Sequence, residues 1–384
     1  MLIPRSLRSS RVLEALSGYL FILPAAVVLG MFGLFPLLFN VYISLFNWRI
    51  RRSAFVGLGN YNEIFGGLLP FLCLLLCLLL AMVGLRLLAR EKPSGLRGLG
   101  LFFEFLALAA LGVALPLVAA RGDRDLLNAF RVTVWYTLGT VPIQLVLGFA
   151  LAAAIHGKFK GREAFRVVML LPYIVPAVAT AAVFERLFSL QSESWANQVL
   201  ACFGLRPLQW LREYKGVFQL IFGFGPAGKP GGLLAYWSSW AAGPSLSLTT
   251  IMIYNVWVYV GYYALIFANG LAAIPLQYYE VAALDGASPL TVLRKVTLPL
   301  VSPSTYFLAV LGVIGTFKSF NSIYVLRDPA AGGASDPMSV SIFFQFFRGG
   351  RFGYAAAQAM VLLAMVVGLT LWQRRVMEKQ VYYG

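Results

Sequence analysis

An all-α, polytopic membrane protein is the fold class that this sequence predicts, and three observations carry it. Of its 384 residues, 60% are hydrophobic and only 12% are charged, where a soluble globular chain is about 45–50% apolar and about 25% charged. Eight apolar stretches are each long enough to cross a bilayer core, which takes about 20 helical residues. The basic residues behind the net charge of +16 are spread through the segments between those stretches. Together these features exclude a soluble enzyme, a disordered chain and a coiled coil. They also speak against nucleic-acid binding, which needs a contiguous basic surface.

The stretches are 18–46, 69–90, 99–120, 131–155, 166–188, 246–269, 303–326 and 354–373. The first contains Pro24 and Pro36, which a membrane helix tolerates because neighbouring groups re-satisfy the freed backbone. Arg5, Arg8 and Arg11 precede it, and the pair reads as a signal anchor retained in the mature protein. Residues 217–225 are apolar but too short to span. Eight crossings place both termini on one side. Sixteen of the 31 Lys and Arg residues fall on that side, in short segments, and their density predicts that it is cytoplasmic. The opposite side carries two long loops. Residues 189–245 hold Trp195, Trp210, Trp237 and Trp240, and residues 327–353 are rich in glycine. Their aromatic residues fit an interfacial belt or a surface for a soluble partner.

Other apparent sites dissolve on inspection. Residues 223–230 read Gly-Phe-Gly-Pro-Ala-Gly-Lys-Pro, which satisfies two phosphate-binding patterns. However, Pro230 stands where a Ser or Thr hydroxyl would hold Mg²⁺, and it has no N–H; the segment reads as a loop. Cys73 and Cys77 sit in a leucine run, and three cysteines do not build a disulfide framework. His156 is the single histidine and has no ligand spacing around it. The expectation is that this chain binds no metal and no cofactor.

The informative stretch is 274–303, IPLQYYEVAALDGASPLTVLRKVTLPLVSP. Pro275 opens a short helix over Leu276 to Leu284. Asp285-Gly286 marks a turn, and Ser288-Pro289 caps a second helix that runs to about Thr297. Ala282, Ala283, Gly286 and Ala287 make one end of this elbow narrow, and Glu280 and Asp285 place charge at its edge. Two readings are open on these residues alone: a connector lying on its own protein, or a knob that fits a cleft in another.

Glu280-Val281-Ala282, Gly286 and Val296-Thr297-Leu298-Pro299 keep the spacing of the EAA loop. In this the chain resembles the permease subunits of binding-protein-dependent ABC importers. FVGLGNY at 55–61, VPIQLVLGFALAAAI at 141–155, LLPYIVP at 170–176 and GLAAIP at 270–275 are similar to the carbohydrate-uptake branch, and most to its maltose-permease larger-subunit type. The resemblance implies the type I ABC importer permease fold in a bacterial inner membrane. It divides the chain into an N-terminal segment with the first span (1–65), an extra transmembrane hairpin (66–121) and a core permease domain (122–384). Residues 212–240 form a second insertion. The large outer domain of the maltose-type subunit has no counterpart in the short 121–130 segment.

By that resemblance Glu280, Ala282, Asp285 and Gly286 dock into an ATPase subunit. The implied partners are a second permease subunit, an ATPase dimer carrying ATP and Mg²⁺, an extracytoplasmic sugar-binding protein and membrane lipids. Tyr173, Asn255, Tyr259, Tyr262 and Thr316 carry over as sugar contacts, with Tyr259 standing where the maltose-type motif has a small residue. Chemically, Asn255, Tyr259 and Tyr262 share one helical face and suit either a sugar or ordinary helix packing. Lys318 lies inside the seventh stretch, where a cation is expensive. It could pair with Glu185 or Glu104, reach water, or meet an anionic solute such as glycerol phosphate. A stand-alone secondary carrier is the rival from another class, and a lipid-linked glycosyltransferase would need an acidic cluster that the sequence lacks.

Overall fold

The computed structural model describes residues 5–49, 51–88, 94–156, 161–223 and 233–377. Nearly all of the glycine-rich segment 223–230, and the side chains of Arg5, Arg8, Arg11 and His156, lie outside the described residues. Among the described residues, 5 helices are long and apolar enough to cross a membrane; the count is 8 when each of three bent helix pairs is taken as one span. The chain divides into two units.

The first unit comprises residues 1–61 and 345–361. Helix α1 (Arg5–Leu29) passes through Pro24 into a π turn (Gly30–Leu34) and α2 (Phe35–Ser44). The Phe35 N–H reaches back five residues to the Gly30 carbonyl. Pro36 follows immediately, with no N–H to give, and the widened turn makes room for its ring. An antiparallel hairpin that the sequence reading did not foresee then pairs β1 (Phe46–Trp48) with β2 (Arg52–Phe55). The FVGLGNY block closes this hairpin: Asn60 Nδ2 donates to the carbonyls of Ser44 (2.7 Å) and Phe46 (3.0 Å), and Ser44 Oγ lies 2.8 Å from Tyr61 Oη.

The second unit comprises residues 62–344 and 362–384. Past α3 (Gly59–Phe65), α4 (Leu68–Leu88) and α5 (Ser94–Arg121) pack as a hairpin. Glu104 lies within α5, away from both of its ends. It packs over Gly84 of α4, and its Oε1 is buried without a hydrogen-bond partner among the described residues.

The centre of the unit is α6 (Arg124–His156) against α12 (Leu246–Ala272). Val132 and Tyr136 share a core with Leu248 and Ile251, while Ala152, twenty residues further on, meets Phe267 and Leu271. The two helices therefore run parallel. Between them in sequence, α7 (Arg162–Ile174) and α8 (Ala177–Leu187) form a helix pair bent by 93°. This corrects the continuous helix expected over 166–188. Val175 precedes Pro176, and proline drives its predecessor out of the helical region; Val175 has ψ 139°. At Gly261 of α12 any Cβ would sit 1.9 Å from the Met169 carbonyl of α7, so glycine is required for that approach.

Beyond α9 (Trp195–Cys202), α10 (Val217–Phe222) and α11 (Leu233–Ala241), the segment after α12 folds as α13 (Leu276–Leu284), α14 (Pro289–Val292), a π turn (Leu293–Thr297) and α15 (Leu298–Leu300). After a 62° bend α16 (Ser302–Phe317) follows. The stretch 303–326 is not one helix: α16 stops at Lys318, and the short α17 (Asn321–Leu326) starts after it. The last helices are α18 (Met338–Phe347) and α19 (Phe352–Met377). Two ion pairs tie the long loops: Arg327 with Asp336 (2.6 and 2.7 Å), and Arg212 with Asp328 (2.6 Å).

Candidate translocation path and coupling elbow

The elbow begins where α12 ends. Asp285 caps α13 and Gly286 takes φ +68°. The Gly286 N–H then bonds the Ala283 carbonyl and the Ala287 N–H bonds the Ala282 carbonyl, both at 3.0 Å. This is a Schellman stop, the termination that glycine allows because it has no Cβ to clash in the left-handed region. Ser288 Oγ accepts from the Thr291 N–H at 3.4 Å and starts the second arm. The second arm widens into its π turn just before Leu298-Pro299, and the Leu298 N–H reaches the Leu293 carbonyl. The same device precedes Pro36 in the first unit, so the Leu-Pro of the motif has a backbone reason.

Glu280, Asp285 and Gly286 are exposed on the elbow. Ala282 is not: it is only 8% exposed and faces inward, which corrects its placement on the contact edge. The tip is instead apolar. Leu284 is 89% exposed, with Val281 and Leu290 exposed beside it. An apolar side chain left so open marks a contact surface when it belongs to a rigid cap rather than a lipid-facing helix. The sequence signal was available, since Leu284 directly precedes Asp285-Gly286.

The structure brings three of the expected sugar contacts together. Tyr173 of α7 stacks on Tyr262 of α12, with ring centroids 4.7 Å apart and planes 19° from parallel, and meets Tyr259 edge-on at 5.5 Å. The bend at Val175-Pro176 leaves Tyr173 on the last turn of α7, facing α12. Tyr173 and Tyr259 are both over a third exposed, so the cluster presents ring faces and hydroxyls on an open flank. Aromatic faces against CH surfaces, with hydroxyls for polar groups, are what a sugar requires.

Asn255 and Thr316 are placed elsewhere. Asn255 is buried, and its Oδ1 accepts from Gln144 Nε2 of α6 at 2.8 Å, while its carbonyl accepts from the same amide at 3.2 Å. Thr316 is buried with its hydroxyl 2.9 Å from Thr137 Oγ1 of α6. Both side chains fasten α6 to its neighbours. Sequence reasoning missed Gln144, although a glutamine inside the apolar VPIQLVLG run is itself a signal of a buried partner. It also missed Tyr136, fully buried near Ser319 and Asn255.

Lys318 lies at the C-cap of α16 and is exposed, not inside a span. A cation at a helix C-terminus is favoured by the exposed carbonyls there. Among the described residues the ion pairs do not include one from Lys318 to Glu185 or Glu104. Among the described residues, no cluster of three or more metal-ligating side chains is present.

In the long loops, Asp328 is the acid with a displaced titration. Burial acts to raise its pKa, but the Arg212 hydrogen bond, the Ala330 N–H and the charges of Arg212 and Arg327 outweigh burial and hold the carboxyl below its usual range.

Residues 144–379 match the family model described as binding-protein-dependent transport system inner membrane component. The chain is 25% identical over 360 residues to the trehalose/maltose transport system permease protein MalF of Thermococcus litoralis, across 93% of this chain and 92% of that one. It is 26% identical over 302 residues to the sn-glycerol-3-phosphate transport system permease protein UgpA of Rhizobium meliloti, across 77% and 86%. Among solved structures, it resembles a chain of the bacterial alginate ABC transporter in complex with alginate pentasaccharide-bound periplasmic protein. There the TM-score is 0.54 at 18% identity, over 75% of this chain and 94% of that one.

Proposed function

Because this chain belongs to the family of binding-protein-dependent transport system inner membrane components, we propose that it is the permease subunit of an ATP-driven importer and forms part of the path for a sugar or oligosaccharide. The observation that carries the sugar reading is the tyrosine cluster of Tyr173, Tyr259 and Tyr262, a flank of ring faces and hydroxyls on the helix that leads directly into the elbow. The sugar named for the relative from Thermococcus litoralis supports the same class.

In this reading α13 and its glycine stop form a rigid handle. A partner ATPase dimer, which holds ATP and Mg²⁺, closes and pushes the handle. The push is transmitted along α12 to the tyrosines, shifting the population between inward-open and outward-open states. Leu284, Val281, Glu280 and Asp285 form the contact edge, and Gly286 sets its shape. The chain itself supplies no nucleotide site and no cofactor. A second permease subunit covers the open flank at Tyr173 and Tyr259, and a solute-binding protein delivers the sugar at the opposite end of the bundle. The elbow and both termini then lie in the cytoplasm.

The glycerol-phosphate transporter among the relatives keeps a non-sugar solute as the second reading, and Lys318 is the exposed cation that would serve it. Uptake assays in proteoliposomes separate these readings from a stand-alone carrier. With ATP and all subunits present, a neutral oligosaccharide should accumulate; without the ATPase subunits it should not. Accumulation by the purified chain alone would overturn the proposal.

A further inference from the structure

A cavity of about 420 Å³ opens at the N-terminal ends of α6 and α12, within the size range of small-molecule sites. Because α6 and α12 run parallel and the elbow follows the C-terminus of α12, the cavity lies at the far end of the bundle from the elbow. The 27 residues of α12 make that separation about 40 Å. It is therefore remote from the coupling surface, and its lining does not include the tyrosine cluster.

Its walls combine Arg131 and Trp135 of α6 with Tyr214, Lys215 and Gln219 of the insertion and Ser239 of α11, and among the described residues no Asp or Glu lines it. The framework is pinned by backbone bonds. Leu246 N–H donates to the Lys215 carbonyl (3.1 Å), Ser247 N–H to the Glu213 carbonyl (3.2 Å) and Val217 N–H to the Pro244 carbonyl (2.8 Å). Arg131 is partly buried and bonds only neutral acceptors: the Ser239 carbonyl at 3.0 Å and Asn128 Oδ1 at 2.6 Å.

The nearby carboxylates are occupied. Asp328 is paired with Arg212, Asp336 with Arg327, and Glu213 accepts the backbone N–H of Lys215. Among the described residues, neither Arg131 nor the Lys215 side chain joins an ion pair. The ring of Trp240 lies 6.3 Å from that of Trp135 and adds to the aromatic wall behind the cavity. Two cations at one cavity, with no acid among its described lining residues, are complementary to an anion.

We propose that this cavity is a binding site for a single anionic group, the carboxylate or phosphate of a small solute or of a lipid head. Arg131 and Lys215 supply the charge, and Trp135 forms part of the wall. The guanidinium is held by its two neutral acceptors and keeps further N–H groups for the ligand. The site is separate from the transport path, and its test needs neither ATP nor transport, so its failure would leave the permease reading standing.

The test uses the full chain purified with its partner subunits in phosphatidylcholine nanodiscs. Calorimetric titrations use trigalacturonate and glycerol 3-phosphate as anionic probes and maltotriose as the neutral control. Native mass spectrometry reads retained phosphatidylglycerol from nanodiscs that contain it. Lys215→Gln decides, because the Lys215 side chain is exposed and not part of the packed core; Arg131→Gln is the second variant. We expect binding of at least one anionic probe, or retention of phosphatidylglycerol, to weaken about tenfold in each variant, with maltotriose unaffected. A response confined to the soluble probes identifies a free solute, and a response confined to the lipid identifies a headgroup. No anion binding in either arm, or binding that Lys215→Gln leaves unchanged, would overturn the proposal.

Discussion

Tyr173 and Tyr262 stack face to face between α7 and α12, 4.7 Å between centroids, at the place where the bend of one crossing meets the helix that leads to the elbow. If this stack contacts sugar, Tyr262→Ala removes a ring face worth about 0.5–1.5 kcal/mol beyond its area. The expected outcome is an uptake KM raised by roughly three- to tenfold, with Tyr262→Phe closer to wild type. Initial-rate uptake in proteoliposomes checks it; equal KM values for Tyr262→Ala and wild type would remove the stack from the path.

Asn255 gives the opposite expectation. It holds Gln144 across α6 and α12, so Asn255→Ala removes the side-chain bond and leaves the buried Gln144 amide only the backbone carbonyl of residue 255, at a cost of about 0.5–1.5 kcal/mol. Thermal unfolding in detergent should show a lowered Tm, while KM in the surviving protein stays near wild type. An unchanged Tm with a raised KM would return Asn255 to the sugar site.

The contrast between these two residues shows what the sequence made legible. Residue types and spacing place Asn255, Tyr259 and Tyr262 on one face, yet the face is wide enough to be divided between α6 and α7. Only the packing of those helices decides which side chain is spent on structure. Similarly, apolar length matches five long helices and three bent pairs, but the breaks at Pro176 and Lys318 depend on backbone geometry that hydropathy does not register. The β1–β2 hairpin escaped because its strands have three and four residues, too few to show an alternation. By contrast, the elbow was legible almost to the residue, because Pro275, Gly286 and Ser288 are caps with local causes.

Gly286 is a conformational requirement rather than a spatial one. Nothing lies within 4 Å of a Cβ built there, but its φ is +68°. Gly286→Ala should therefore cost about 1–2 kcal/mol in the elbow alone. We expect the complex to assemble and to hydrolyse ATP, with uptake per ATP reduced several-fold. Parallel uptake and ATPase measurements check this, and an unchanged ratio would show that the stop is not part of coupling.

The Arg212–Asp328 clip predicts a pH dependence for the insertion. The folded-state pKa of Asp328 is depressed, so its contribution is present above the unfolded carboxylate value and is lost as pH falls through the lower folded value. Arg212 is 47% exposed at its side chain, which limits the contribution to about 1 kcal/mol or less. Hydrogen exchange of residues 206–217, taken relative to the intrinsic amide rate at each pH, should rise in acid in the wild type. In Asp328→Asn it should already be raised at neutral pH and change less on acidification. Identical acid responses in the two proteins would contradict the assignment.

The central claim is that the exposed cap of α13 grips a nucleotide-driven partner. The most direct measurement is thiol crosslinking from Leu284→Cys, combined with Cys202→Ser to remove an exposed native thiol, in membranes carrying the complete transporter. The account predicts a crosslink to the ATPase subunit whose yield changes when ATP is bound, and loss of uptake once the crosslink forms. Crosslinks that reach only lipid or this chain itself, with uptake intact, would contradict it.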